Sequence, residues 1–152
     1  MPTVEKQDII NKSNLSTKYG IYAGLSMALF LFIMQLFGND FSPFAKLGKY
    51  ILLGLIIVIA LNKYKEEIKG DVFIKGIGLG TKLSLIAGLI LVILNYALFF
   101  IYPEVAFSKY SIEPENLGQV TMISGVLMFE TLVFGSLITF MVLQFIKGKI
   151  RK

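Results

Sequence analysis

The chain has 152 residues, of which 55% are hydrophobic and 16% charged, with a mean hydropathy of +0.72 and a formal net charge of +5 at pH 7. So apolar a composition excludes an ordinary soluble domain of this length and points to membrane-spanning helices. Nucleic acid is excluded as a partner because the basic residues flank apolar segments and form no patch with stacking aromatics; the absence of Cys and His removes thiolate chemistry, the commonest general base and the commonest metal ligand.

Residues 1–18 read as a short polar, Lys-bearing tail with no small-x-small cleavage site after the first apolar run, so no signal peptide is expected. The first predicted span runs over about 20–37 and is broken by the turn formers of "GNDFSP" (38–43). A second span is placed at 44–61. Its uncharged part, Tyr50–Leu61, is short, and Lys46 and Lys49 are expected to reach the headgroups from the span's end by snorkelling. The polar loop "NKYKEEIKGD" (62–71) follows, then "VFIKGIGLGTK" (72–82), half amphipathic and half glycine hinge. The third span, 83–102, has the length that a ~30 Å hydrocarbon core requires. A second polar loop occupies 103–119, the fourth span 120–146, and a basic tail 148–152.

Twelve of the fifteen Lys and Arg residues fall in the N-terminal tail, the 62–82 segment and the C-terminal tail. The positive-inside rule therefore puts these on the cytoplasmic side. The expected fold is all-α: a polytopic membrane protein with four transmembrane helices in a bundle, both termini inside, in a single domain over 19–147.

Small residues at four-residue spacing predict helix contacts, since close backbone approach is a usual way for helices to associate in lipid. Three such ladders occur: Gly20, Gly24 and Ala28; Gly76, Gly80, Ser84 and Gly88; and Thr131, Gly135 and Thr139.

Four polar residues lie within the predicted spans: Gln35, Asn95, Glu130 and Gln144. Glu130 stands out. It is expected roughly 16 Å deep at 1.5 Å per residue, where a buried charge costs on the order of 2.5–3.5 kcal/mol. Helical projection puts it on one face with Ile123, Val126, Leu137, Met141 and Gln144, with Thr121, Ser124, Gly125, Met128, Gly135 and Thr139 opposite. If the small face packs inside the chain, Glu130 looks away from it, toward another chain or an ordered water. Three roles stay open for Glu130: a neutral carboxyl hydrogen-bonded to Asn95 or Gln35, a subunit contact, or a proton- or ion-coupling site.

Other patterns carry little. "GIGLG" (76–80) fails the dinucleotide fingerprint at its last glycine and follows no strand. The sequons at Asn11 and Asn14 sit in a tail placed in the cytoplasm. Glu66 and Glu67 balance neighbouring lysines. Glu104, Glu113 and Glu115 lack the spacing of a divalent-cation loop. No acyl- or phosphoryl-transfer constellation is present, so no enzyme, cofactor or metal site is expected.

"STKYGIYAGLSMALFLFIM" (16–34), "YKEEIKGDVFIKGIGLGTKLSLIAGLI" (64–90) and "MFETLVFGSLITFMVL" (128–143) together resemble a family of small four-span bacterial inner-membrane proteins of unknown function, over nearly the whole chain from Ser16. Some relatives carry a helix-bending proline where this chain has Val133 or Phe134. The resemblance implies the same topology and the bacterial inner membrane, and no activity.

Two function classes follow. The first is an interaction or accessory subunit, docking onto another membrane protein or a second copy through its small-residue faces and Glu130. The alternative is a small proton- or ion-coupled transporter or channel with Glu130 as its protonatable site. Small four-span multidrug exporters carry their acid in the first span, and this chain has no Trp to line a cation cavity. A rotor-ring subunit would put the lysine-rich 62–82 loop outside, against the charge rule.

Overall fold

The structure, a computed structural model, describes residues 2–37, 45, 47–67, 72–102, 107 and 116–150. Among the described residues the long helices are four: α1 (Pro2–Leu36), α2 (Lys49–Glu67), α3 (Val72–Ile101) and α4 (Leu117–Ile150). Three of them contain stretches long and apolar enough to cross a membrane: Asn14–Leu36, Phe73–Ile101 and Leu117–Ile146. The second expected span is the exception. Helix α2 starts at Lys49, five residues later than 44–61 predicts, and Phe44 and Lys46 lie outside the described residues. Lys49, Lys63, Lys65, Glu66 and Glu67 leave α2 only a short apolar middle.

Two other boundaries differ from the sequence reading. The N-terminal tail is helical from Pro2, and Leu15 and Ser16 are buried. Apolar contact therefore continues below Gly20. The expected loop and hinge over 62–82 is helix on both sides of a short gap, 68–71, which lies outside the described residues. Glycine costs helix stability in water, but in lipid an unbonded backbone group costs more, so a glycine-containing apolar segment stays helical when its small face is packed.

Helix α3 is the centre of the assembly, packed along α1 on one side and α4 on the other, while α2 closes the ring against α1 and α4 and touches α3 more lightly. Packing partners set the directions. Gly20 lies against Ile86 and Gly24 against Ile90, so α1 and α3 run parallel. Gly76 meets Leu143 and Gly80 meets Thr139, so α3 and α4 run antiparallel. Tyr50 stacks on Phe134 and Gly54 faces Ile138, so α2 and α4 run parallel.

The interior is apolar: Met27, Leu53, Ile57, Leu61, Leu79, Leu83, Leu91 and Leu143 are all essentially inaccessible. Large apolar residues such as Leu29, Ile51, Leu55, Ile93, Phe129 and Phe145 face outward, the distribution that a lipid surround favours.

The three ladders occupy the helix contacts as follows. A Cβ on Gly20 would stand 2.8 Å from Ile86 Cβ, and one on Gly24 2.8 Å from Ile90 Cβ. Ala28 is buried in the same face. On α3, Gly76 abuts the Leu143 side chain, Gly80 abuts Thr139, Ser84 abuts Gly135, and Gly88 lies beside the backbone of Met128. Thr131, Gly135 and Thr139 are buried on α4. The hydroxyls that fill these contacts are themselves satisfied within their helices. Ser84 donates to the Gly80 carbonyl at 2.8 Å, Thr131 to Leu127 at 2.7 Å and Thr139 to Gly135 at 2.7 Å.

Candidate functional site

Helix α2 opens with Lys49 and Tyr50 after a tight turn in which the Gly48 and Tyr50 amides bond back to the carbonyls of Ala45 and Leu47. Both side chains turn inward, toward α4. The Tyr50 hydroxyl donates to Glu130 Oε2 at 2.9 Å, and Lys49 Nζ lies 3.8 Å from the same oxygen. The ammonium also sits 4.9 Å from the centre of the Tyr50 ring, whose other neighbour is Phe134, stacked at 4.4 Å. Lys49 is 4% exposed as a residue, whereas the Glu130 side chain keeps 24% of its surface. The charge is enclosed at the lysine and partly open at the acid.

This overturns two sequence expectations. Lys49 is buried against α4 instead of reaching outward to the headgroups, with Glu130 Oε2 3.8 Å from its ammonium. Nor does Glu130 look away from its own chain. The projection took the small-residue face of α4 to be its whole inner face. A helix in a four-helix ring has two neighbours, however, and while Gly135 and Thr139 face α3, Glu130 faces the start of α2. Tyr50 and Lys49, both of its own chain, lie against its carboxylate.

Magnitudes describe what such a cluster does. A charge at the centre of a membrane-spanning helix costs on the order of 2.5–3.5 kcal/mol on the insertion scale. Attraction at such a distance returns about 4 kcal/mol at an effective dielectric of about 20. The pair offsets much of its own burial and is no strong source of stability. Buried ion pairs of this kind are often replaceable by apolar residues without loss of stability.

The other polar candidates lie elsewhere. Asn95 is fully buried and does not serve Glu130 as expected. Its amide donates to Ser124 Oγ at 2.9 Å, and its Oδ1 accepts the backbone N–H of Phe107 at 2.9 Å. Phe107, from the connection between α3 and α4, is thereby held in the interior at 2% exposure. Close by, the Tyr96 hydroxyl donates to Thr121, which donates to the Leu117 carbonyl. Gln35 is half-buried near the end of α1, and Gln144 is exposed on α4. Among the described residues no group of three or more acids could hold a metal ion; Glu104, Glu113 and Glu115 lie outside them.

Lys49 and Tyr50 are the site residues that sequence reasoning missed. One signal was available: the uncharged stretch Tyr50–Leu61 is so short that any span there would have to take in Lys49.

Compared with known proteins, the chain matches no family model, no curated protein and no solved structure.

Proposed function

We propose that the chain is a four-span protein of the bacterial inner membrane, with both termini cytoplasmic, and that it works as a small proton- or ion-coupled transporter or channel through the Lys49–Tyr50–Glu130 cluster. One observation carries this reading: an acid near the middle of the span Leu117–Ile146, partly exposed, stands opposite a lysine that is closed off. Ionisable pairs inside membranes commonly mark ion pathways and proton relays. Here the accessible member can exchange a proton and the enclosed member cannot leave. Support for the fourth span comes from α2 lying against both α1 and α4.

The small-residue ladders, on which a docking-subunit reading would draw, pack within the chain.

The test is proton movement. The purified protein is reconstituted in liposomes with an entrapped pH dye, in symmetrical sodium and potassium salts of chloride and nitrate so that co-ions of either sign are present. An imposed pH gradient should collapse faster than in empty liposomes, and Glu130→Gln should remove the difference. Collapse no faster than in empty liposomes would sink the proposal.

A further inference from the structure

The outward face of α1 changes character within one helical turn. Asn14, Thr17 and Lys18 are exposed on it, and the exposed residues that follow are Ile21, Tyr22, Leu25 and Leu29. At the change lies a surface recess of about 500 Å3, lined on α1 by Asn14, Thr17, Lys18, Ile21 and Tyr22. Its lower wall is polar and its upper wall apolar.

We propose that this recess holds the headgroup phosphate of an anionic phospholipid, with the acyl chains lying upward along Ile21, Leu25 and Leu29. The inference rests on α1 crossing the membrane and makes no use of the Lys49–Tyr50–Glu130 cluster.

Height is the first argument. Beyond Lys18, α1 carries no charge through Leu36, and beyond Lys82, α3 carries none through Ile101. The two helices run parallel, and a Cβ on Gly20 would stand 3.0 Å from the Leu83 carbonyl oxygen, so the two lysines share one level. Each is followed by about 28 Å of uncharged helix at 1.5 Å per residue, close to the ~30 Å of a hydrocarbon core. The recess therefore sits where headgroups meet acyl chains.

Chemistry is the second. Lys18 Nζ lies 6.0 Å from the centre of the Tyr22 ring, and the Tyr19 ring meets Tyr22 edge-on at 6.1 Å. Tyrosines at this height belong to both phases, and a lysine stem can lie on them while its ammonium stays among the headgroups. The ammonium, with the Asn14 amide one turn below, offers N–H donors to a phosphate oxygen.

Charge then selects the lipid. No Asp or Glu lies within two turns of Lys18 on α1, α3 has none, and Lys82 is exposed at the same level. A phosphodiester without a cation of its own answers these two positive charges, whereas a choline or ethanolamine headgroup brings a third.

The chain has no Trp, so Leu25→Trp puts a single reporter one turn above the recess on the same face. The full-length variant is reconstituted in liposomes of brominated phosphatidylglycerol with plain phosphatidylcholine, and in the converse mixture. Tryptophan quenching should show preference for phosphatidylglycerol, and Lys18→Gln should lower that preference about fivefold, the effect of one basic residue at a membrane surface. Lys63→Gln, at an exposed lysine of α2, should leave it unchanged, and inorganic phosphate in the buffer should not relieve the quenching. Equal quenching by the two lipids would overturn the proposal. So would equal losses from Lys18→Gln and Lys63→Gln, which would mean a diffuse attraction without a site. Relief by inorganic phosphate would reassign the recess to soluble anions and overturn it too. Each of these results leaves proton movement through Glu130 a separate question, read in the pH-gradient assay.

Discussion

Ser84 and Gly135 occupy each other's space across the α3–α4 contact: a Cβ on Gly135 would overlap the Ser84 hydroxyl, whose own hydrogen goes to the Gly80 carbonyl at 2.8 Å. One turn away the arrangement repeats with roles exchanged, Gly80 receiving Thr139 while Thr139 donates to Gly135 at 2.7 Å. Each helix thus supplies one glycine and one hydroxyl, and each hydroxyl is satisfied before it meets the partner helix.

Adding a single methyl here should therefore be damaging. Gly80→Ala and Gly135→Ala are each expected to lower stability by about 1–3 kcal/mol, the usual range for overpacking. Gly125 is the control, since a Cβ there meets nothing within 4 Å. Thermal unfolding in detergent should show Gly125→Ala unchanged or slightly stabilised, and both contact variants shifted down. Equal melting of all three would remove the packing argument.

Lys49 and Glu130 should be coupled energetically. Lys49→Met leaves the carboxylate without the ammonium opposite it, and Glu130→Gln leaves the enclosed ammonium without the carboxylate. The double variant should be more stable than the sum of the single losses implies, with an interaction energy on the order of 1–3 kcal/mol. Tyr50→Phe, which removes one hydrogen bond to a charged group, should cost about 1.5–3 kcal/mol at most. Strict additivity in the cycle would mean that the two residues do not interact in the membrane.

Asn95 ties the connection between α3 and α4 to the interior through the Phe107 amide and Ser124. Asn95→Leu abolishes both contacts and strands the amide, a loss of about 1–3 kcal/mol if it stays buried. Hydrogen exchange should show the Phe107 amide losing protection in this variant while amides in the middle of α3 keep theirs. Unchanged exchange at Phe107 would mean that its burial does not depend on Asn95.

The proposed topology can be read by labelling, because the chain has no native Cys. Single cysteines at Ser42 and Ser108, both outside the described residues, should react with an impermeant thiol reagent on intact cells. Cysteines at Ser13 and Lys152 should react after permeabilisation alone. Labelling at 13 or 152 in intact cells, with 42 and 108 silent, would invert the orientation. Silence at 42 with labelling at 108 would remove α2 as a span.

What the residues determine alone is what depends on short range and on length. The spans over 83–102 and 120–146 are legible because a bilayer demands a run of apolar side chains of fixed length, although the third begins ten residues earlier, at Phe73. The four-residue spacing of Gly76, Gly80, Ser84 and Gly88 is legible because a helix returns to the same face at that interval. The neighbour that each face meets is not. Helical projection gives the angle between Glu130 and Gly135 on α4, yet both directions point at protein, one at α3 and the other at the start of α2. Lys49 reads locally as a residue at a span's end, free to reach headgroups. Only the packing of α2 against α4 brings it beside an acid more than half the chain away. Asn95 likewise reads as an available partner for Glu130 until the fold places Ser124 and the Phe107 amide against it. Periodicity is a property of one helix; pairing of charges is a property of two, and tertiary structure alone decides which two meet.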